Sequence, residues 1–115
     1  MEYSEWNTQL RRGIIEFCIL TLISKRDRYG YELITSLEQW EELSITEGTL
    51  YPLLKRLKRE KLIESYWKES QSGPPRKYYK LAYSGKILLK TMNGIWSKLT
   101  KGVTELIELK EVEGK

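Results

Sequence analysis

ITEGTLYPLLKRLKREKLIESYW, residues 45–67, puts two kinds of side chain on one short segment. Leu50, Leu53, Leu54 and Leu57 fall at i, i+3, i+4 and i+7, which is one core-facing stripe of a helix. Lys55, Arg56, Lys58, Arg59 and Lys61 crowd the same helix with positive charge. At about 100° per residue, the side opposite the leucines carries Gly48, Pro52, Lys55 and Arg59, with Tyr51 and Arg56 on its flanks. Such a helix can plug a core with one face and present a cationic surface with the other. Ser44 or Thr46 can cap its start, and Ser44 to Glu47 has capping-box spacing. Proline in a helix interior loses a hydrogen bond and crowds the carbonyl four residues back, here that of Gly48. The regular helix is therefore expected to start near the turn of Pro52, or to have a distorted first turn. Outward-pointing backbone N–H groups at a low-profile helix start suit a phosphate.

The flanking sequence supplies the rest. Upstream, a helix is expected over residues 8–24, with Ile14, Ile15, Phe17, Cys18, Ile19, Leu20, Leu22 and Ile23 apolar on most sides. A helix of that kind is covered on most sides, by its own domain or by a second subunit. The segment RDRYG breaks it. A second helix follows over residues 31–41, with Leu33, Ile34, Leu37 and Trp40 on one face. Downstream, KLIESYWKES and RKYYKLAY flank QSGPP and read as a β-hairpin. Its two prolines predict a longer, stiff tip around residues 72–75 rather than a two-residue turn. Tyr78 and Tyr79 alternate faces, one toward the core and one outward. A last helix is expected from Ser84 to Leu109, about 26 residues and roughly 39 Å. In it Leu88, Met92, Ile95, Leu99, Val103 and Leu106 step by 4, 3, 4, 4 and 3, a coiled-coil-like seam. Its apolar surplus calls for a second chain. Gly94 and Gly102 interrupt that seam, and residues 111–115 are expected to fray.

The 115 residues suffice for one domain with a modest core, and 31% charged with 40% apolar residues is a globular balance. Net charge is +4, concentrated in the middle. Residues 1–44 carry five Lys/Arg against eight Asp/Glu, residues 45–83 nine against four, and residues 84–115 six against four. A basic middle favours a polyanionic partner. No apolar run reaches the roughly 20 residues of a membrane span, and the start, with Glu2, Glu5 and Trp6, lacks a secretory pattern. Cys18 is the single cysteine, so a disulfide framework is excluded and a cytoplasmic setting is expected. Histidine is absent, and neither a phosphate loop nor a paired-carboxylate motif occurs. Catalysis, a cofactor and a metal site are therefore not expected.

Helix, helix, turn, basic helix and hairpin is the order of a winged helix-turn-helix, here mainly α with a small β-hairpin and a long C-terminal dimerisation helix. In that layout the third helix lies in a DNA major groove and the hairpin touches the flanking backbone. The blocks RRGIIEFCILTLI, RYGYELI, TEGTLYPLLKRLKREKLIESYW and GPPRKYYKLAYSGK resemble the PadR family of transcriptional regulators over nearly the whole chain. The likeness is greatest to small-type members, including the drug-sensing lactococcal ones.

That resemblance implies a homodimeric repressor on a pseudo-palindromic double-stranded operator. Residues 1–83 would form the DNA-binding unit with its N-terminal helix, and residues 84–115 the dimerisation helix, within one compact body. The expected DNA contacts are Lys55, Arg56 and Arg59; Thr46, Gly48, Thr49, Tyr51 and Pro52 at the helix start; Tyr29 and Tyr31 before and on the second helix; and Gly73, Arg76 and Lys77 on the wing. The six seam residues, Leu88, Met92, Ile95, Leu99, Val103 and Leu106, are the expected dimer contacts. Trp96 has two readings: it stacks a planar aromatic effector at the dimer axis, as in drug-sensing members, or it only packs the interface. Trp6 could cover the same cleft. A protein-binding winged helix without a DNA role is the alternative function.

Overall fold

In a computed structural model, which describes residues 2–111, four helices surround a small antiparallel sheet. Helix α1 spans Tyr3–Lys25, starting five residues before the expected helix. Polar Ser4, Asn7 and Thr8 hide that first stretch from a periodicity reading; Thr8 Oγ1 donates to the Ser4 carbonyl at 2.9 Å. Only the second half of α1 enters the core, through Ile15, Ile19, Leu20 and Ile23. Ile14, Phe17, Cys18 and Leu22 are half-buried, so the helix is indeed covered on most sides there. Tyr3, Trp6 and Leu10 project from the early turns into solvent.

Strand β1 is only Arg28–Tyr29, too short to leave a period in the sequence. It pairs with the far strand of the hairpin, Arg28 opposite Tyr79 and Tyr29 opposite Tyr78. The sheet therefore has three strands, not two, and locks the hairpin to the helical body. Helix α2, Gly30–Leu37, begins directly after β1, and the Tyr29 N–H donates to Glu32 Oε1 at 3.2 Å. It ends four residues earlier than expected. The Trp40 N–H bonds the Leu37 carbonyl, a tightened i to i+3 closure, and a 3-10 turn follows at Glu41–Leu43. Trp40 thus leaves the face of Leu33, Ile34 and Leu37 and is exposed.

Helix α3 spans Glu47–Arg59 and runs unbroken through Pro52, against the expectation of a late start. Two features permit this. Thr46 is the cap, accepting the Thr49 N–H on Oγ1 at 3.3 Å, and this holds the first turn. Gly48 and Pro52 both face solvent, so water can satisfy the carbonyl that proline leaves without a donor. Leu50, Leu54 and Leu57 are fully buried, and Leu53 is half-buried toward α1. At the other end Lys61 adopts φ 63°, and the Leu62 N–H reaches the Leu57 carbonyl at 3.0 Å. This closure is a Schellman motif built on a non-glycine residue.

Strands β2 (Ile63–Ser70) and β3 (Gly73–Leu81) form the wing. Their turn is the two residues Gln71 and Ser72, which corrects the expected proline tip: Pro74 and Pro75 lie within β3. They fit there because the ladder is irregular between Lys68 and Ser70, and because β1 pairs only with residues 78 and 79 of β3. A strand edge without a neighbour does not need the N–H groups that proline lacks. Tyr79 is buried and Tyr78 half-buried, in line with their alternation.

Helix α4, Tyr83–Ile107, starts one residue before Ser84 and ends two before Leu109. Ala82 occupies the cap position, and Ser84 Oγ instead donates to the Lys61 carbonyl at 2.6 Å. Its first turns touch the body closely. Gly85 is buried, and a Cβ there would collide with the Leu62 carbonyl. Of the six seam residues, Leu88 and Met92 pack on the chain's own core, beside the buried Leu89. Ile95, Leu99, Val103 and Leu106 are 53%, 58%, 52% and 69% exposed along the part of α4 that leaves the body. The expected fraying segment lies, apart from Glu111, outside the described residues.

Candidate nucleic-acid interface

The outer face of α3 follows from the leucine stripe. With Leu50, Leu54 and Leu57 turned inward, Gly48, Thr49, Tyr51, Pro52, Lys55 and Arg59 are exposed, and Thr46 stands at the open N-terminal end. Neither Lys55 nor Arg59 makes an ion pair among the described residues, so both cations are free to meet an external anion. Arg56 differs. Its Nη2 donates to Glu16 Oε2 at 2.9 Å and its Nη1 to Glu60 Oε2 at 3.0 Å. The bond to Glu16, then that to Glu60, holds the guanidinium above its usual pKa range. Arg56 therefore straps α3 to α1, a tertiary partner forty residues away that helix periodicity cannot reveal.

On one flank of α3 the wing closes a cleft of about 470 Å³, bordered by Tyr29, Tyr31, Tyr51, Trp67, Arg76 and Lys77. Gly30 makes it possible, because a Cβ at that position would meet the Tyr51 hydroxyl. Tyr51 can then lie across the start of α2. Tyr31 is 62% exposed, whereas Tyr29 is half-buried. The Arg76 guanidinium sits 4.6 Å from the Tyr29 ring centroid, and Lys77 Nζ 5.9 Å from that of Trp67. These ring faces orient the cations without neutralising them. Gly73 lies beside the Gln71 and Ser72 turn, where a Cβ would meet open space, so its place in the wing is that of a turn-flanking residue.

The base of the wing is pinned by contacts the sequence did not disclose. Tyr66 stacks on Tyr78 at 5.8 Å with a 16° interplanar angle, and Tyr29 meets Tyr78 edge-on at 5.4 Å. The Tyr66 hydroxyl donates to Asp27 Oδ2 at 2.6 Å. That hydrogen bond pushes the Tyr66 phenol up to about 12. The wing is thereby tied to the α1–β1 junction, which fixes its angle to α3.

The dimer and ligand candidates lie elsewhere. Trp96 is 42% exposed on α4 and packs against Phe17 of α1, ring centroids 6.1 Å apart at 49°. Cys18 is half-buried, and burial pushes its thiol up, as for a packing residue. Among the described residues no helix is long and apolar enough to cross a membrane.

Comparison with known proteins agrees with this architecture. Residues 19–91 match the family model described as the transcriptional regulator PadR-like family. An uncharacterized protein of Lysinibacillus sphaericus is 36% identical over 100 residues, covering 85% of this chain and 88% of the relative. The crystal structure of a PadR-like transcriptional regulator from Bacillus cereus is similar with a TM-score of 0.82 at 39% identity, covering 89% of this chain and 99% of the other. A PadR family transcriptional regulator from Eggerthella lenta superposes with a TM-score of 0.78 at 34% identity over 93% of each chain. A winged helix-turn-helix with a free cationic face on α3, a pinned wing and sequence matches over most of its length, the chain belongs to the PadR-like family of transcriptional regulators and is not an enzyme.

Proposed function

We propose that this regulator is a homodimeric repressor that grips a pseudo-palindromic double-stranded operator and releases it when a small planar aromatic compound binds at the dimer axis. The observation that carries the DNA reading is the set of cations Lys55, Arg59, Arg76 and Lys77 around α3 and the wing cleft, none of which makes an ion pair among the described residues. Phosphates take the charge of these side chains, and Lys55, Arg59 and Tyr51 stand where a helix in the major groove meets base edges. Thr46, Gly48, Thr49 and Pro52 line the helix start, where N–H groups meet backbone oxygens. Tyr29 and Tyr31 lie at the start of α2, the helix that crosses a phosphate strand in this fold. Gly73, near the turn, lets the wing approach the duplex closely. Arg56 serves this reading mainly as the strap that holds α3 at its angle.

The homodimer is supported by the exposed apolar residues of α4, which one chain leaves uncovered. Two-fold symmetry then matches two half-sites of opposite orientation. The effector reading rests on Trp96. Its ring is part-exposed, Phe17 braces one side, and the neighbouring Gly94 leaves open space. Two symmetry-related rings can stack one flat molecule. Such a compound shifts the equilibrium only by binding the released geometry better than the DNA-bound one.

Selection from a random duplex pool tests the function directly. A recovered two-fold motif supports the operator reading. Recovery of no preferred sequence, together with salt-independent binding, would favour the protein-binding alternative. Tryptophan fluorescence titrated with planar dyes tests the effector: Trp96→Ala should lose the response, and equal dye affinity in both proteins would make Trp96 interface packing alone.

A further inference from the structure

A second groove, about 700 Å³, runs between the first half of α1 and α3 and shares no residue with the wing cleft. Helix α1 contributes Thr8, Arg11, Arg12 and Ile15 at i, i+3, i+4 and i+7, a single face. Helix α3 contributes Thr49, Pro52, Leu53 and Arg59, among others. Thr49, Pro52 and Arg59 also belong to the outer face of α3. That face is thus bordered by the wing cleft on the Tyr51 side and by this groove on the Pro52 side.

The charges in the groove are unequal in what they can do. Arg56 is occupied by Glu16 and Glu60. Arg11 Nη2 donates to the Ser44 carbonyl at 2.6 Å, while its Nε is buried with no protein partner among the described residues. Arg12 is exposed, and neither it nor Arg59 makes an ion pair among the described residues. The N-terminal end of α3, with the hydroxyls of Thr46 and Thr49, opens into the same space. Guanidinium, hydroxyl and helix N-terminus together suit a phosphodiester.

The geometry points to a DNA strand as the occupant. A major groove is about 12 Å wide and a helix with side chains about 10–12 Å across, so a seated α3 has a sugar-phosphate strand on each flank. The wing takes one flank. We infer that the α1–α3 groove takes the other strand, with Arg12 as the phosphate contact and Arg11, fixed by the Ser44 carbonyl, as the positioning residue. Helix α1 then serves DNA binding as well as packing. This inference rests on the DNA reading of the preceding subsection.

The test measures anisotropy of a labelled random-sequence duplex and of a selected operator against potassium chloride, for wild type, Arg12→Ala and Arg12→Lys. Arg12 is on the surface, so both variants should fold, which circular dichroism checks. Arg12→Ala is expected to weaken binding by roughly 5- to 10-fold on both duplexes. It should also reduce the magnitude of the log–log salt slope by about 0.9 per protomer. Arg12→Lys should retain the slope. Wild-type slope and affinity in Arg12→Ala, while the wild-type protein binds DNA, would overturn the inference alone. A slope loss explained by dissociation of the variant into monomers in sedimentation would overturn it too. Salt-independent binding by the wild type would instead defeat the DNA reading itself.

Discussion

Leu99 stands midway along the part of α4 that leaves the body, 58% exposed in the single chain. Full burial of a leucine side chain is worth about 1.5–3 kcal/mol. A partner helix covering the exposed 58% would therefore recover about 0.9–1.7 kcal/mol per protomer, or about 2–3.5 kcal/mol for the symmetric pair. Leu99→Ala should remove most of that and raise the dimer dissociation constant by a factor of roughly 30 to 300. Leu99→Asp should do more, because it adds a charge that the interface cannot pair. Neither change touches the core, since Leu99 lies outside the buried cluster, so the monomer should keep its melting behaviour. Sedimentation equilibrium across a concentration series reads the constant, with Lys101→Ala on the same helix as control. An unchanged dissociation constant in Leu99→Asp would show that α4 does not hold the subunits together. The early turns of α1, with Trp6 and Leu10, would then be the place to look.

Other expectations follow from the same geometry. Lys55→Ala should weaken operator binding by about 1–3 kcal/mol with stability unchanged, whereas Arg56→Ala should lower the thermal midpoint through loss of its Glu16 strap; anisotropy and calorimetry on both variants separate the two roles. Gly85→Ala should cost about 1–3 kcal/mol or more in urea denaturation, because the new methyl meets the Leu62 carbonyl and, at 2.8 Å, Leu81 Cδ1. The Tyr66 phenol should ionise near pH 12 rather than 10, seen by ultraviolet titration against Tyr66→Phe. Its folded pKa is raised, so the stabilisation from the Asp27 bond is complete below pH 10 and is lost as pH climbs through about 12. A difference between the two proteins centred at pH 10 would mean that the wing is not pinned there.

Local rules carried most of the architecture, because the elements themselves are local. The leucines of α3 recur at helical spacing, and three of the four are fully buried. The sequence failed where one residue answers to a distant partner. Arg56 looks like a free cation until α1 brings Glu16 to it. Strand β1 has no pattern of its own and exists only because β3 offers an edge. Pro74 and Pro75 mimic a loop, yet strand conformation suits them where the ladder is already irregular. Trp40 keeps the period of α2 after the backbone has left the helix. Arg11 and Arg12 carry no pattern of their own in the sequence; only the tertiary fold brings them into one groove with Thr49, Pro52 and Arg59 of α3. On the seam the spacing of six residues is regular, but it does not show where α4 departs from the body, nor that Leu88 and Met92 pack against the chain's own core.

Salt dependence of duplex binding reports how many phosphates the cationic face neutralises. Lys55, Arg59, Arg76 and Lys77 make no ion pair among the described residues, so a dimer on two half-sites would neutralise about eight phosphates through them. The log of the binding constant should then fall against log salt with a slope of about −7, or about −9 if Arg12 of each protomer also contacts the backbone. A slope close to zero, with the intact protein dimeric and folded, would assign the cationic face to some partner other than DNA.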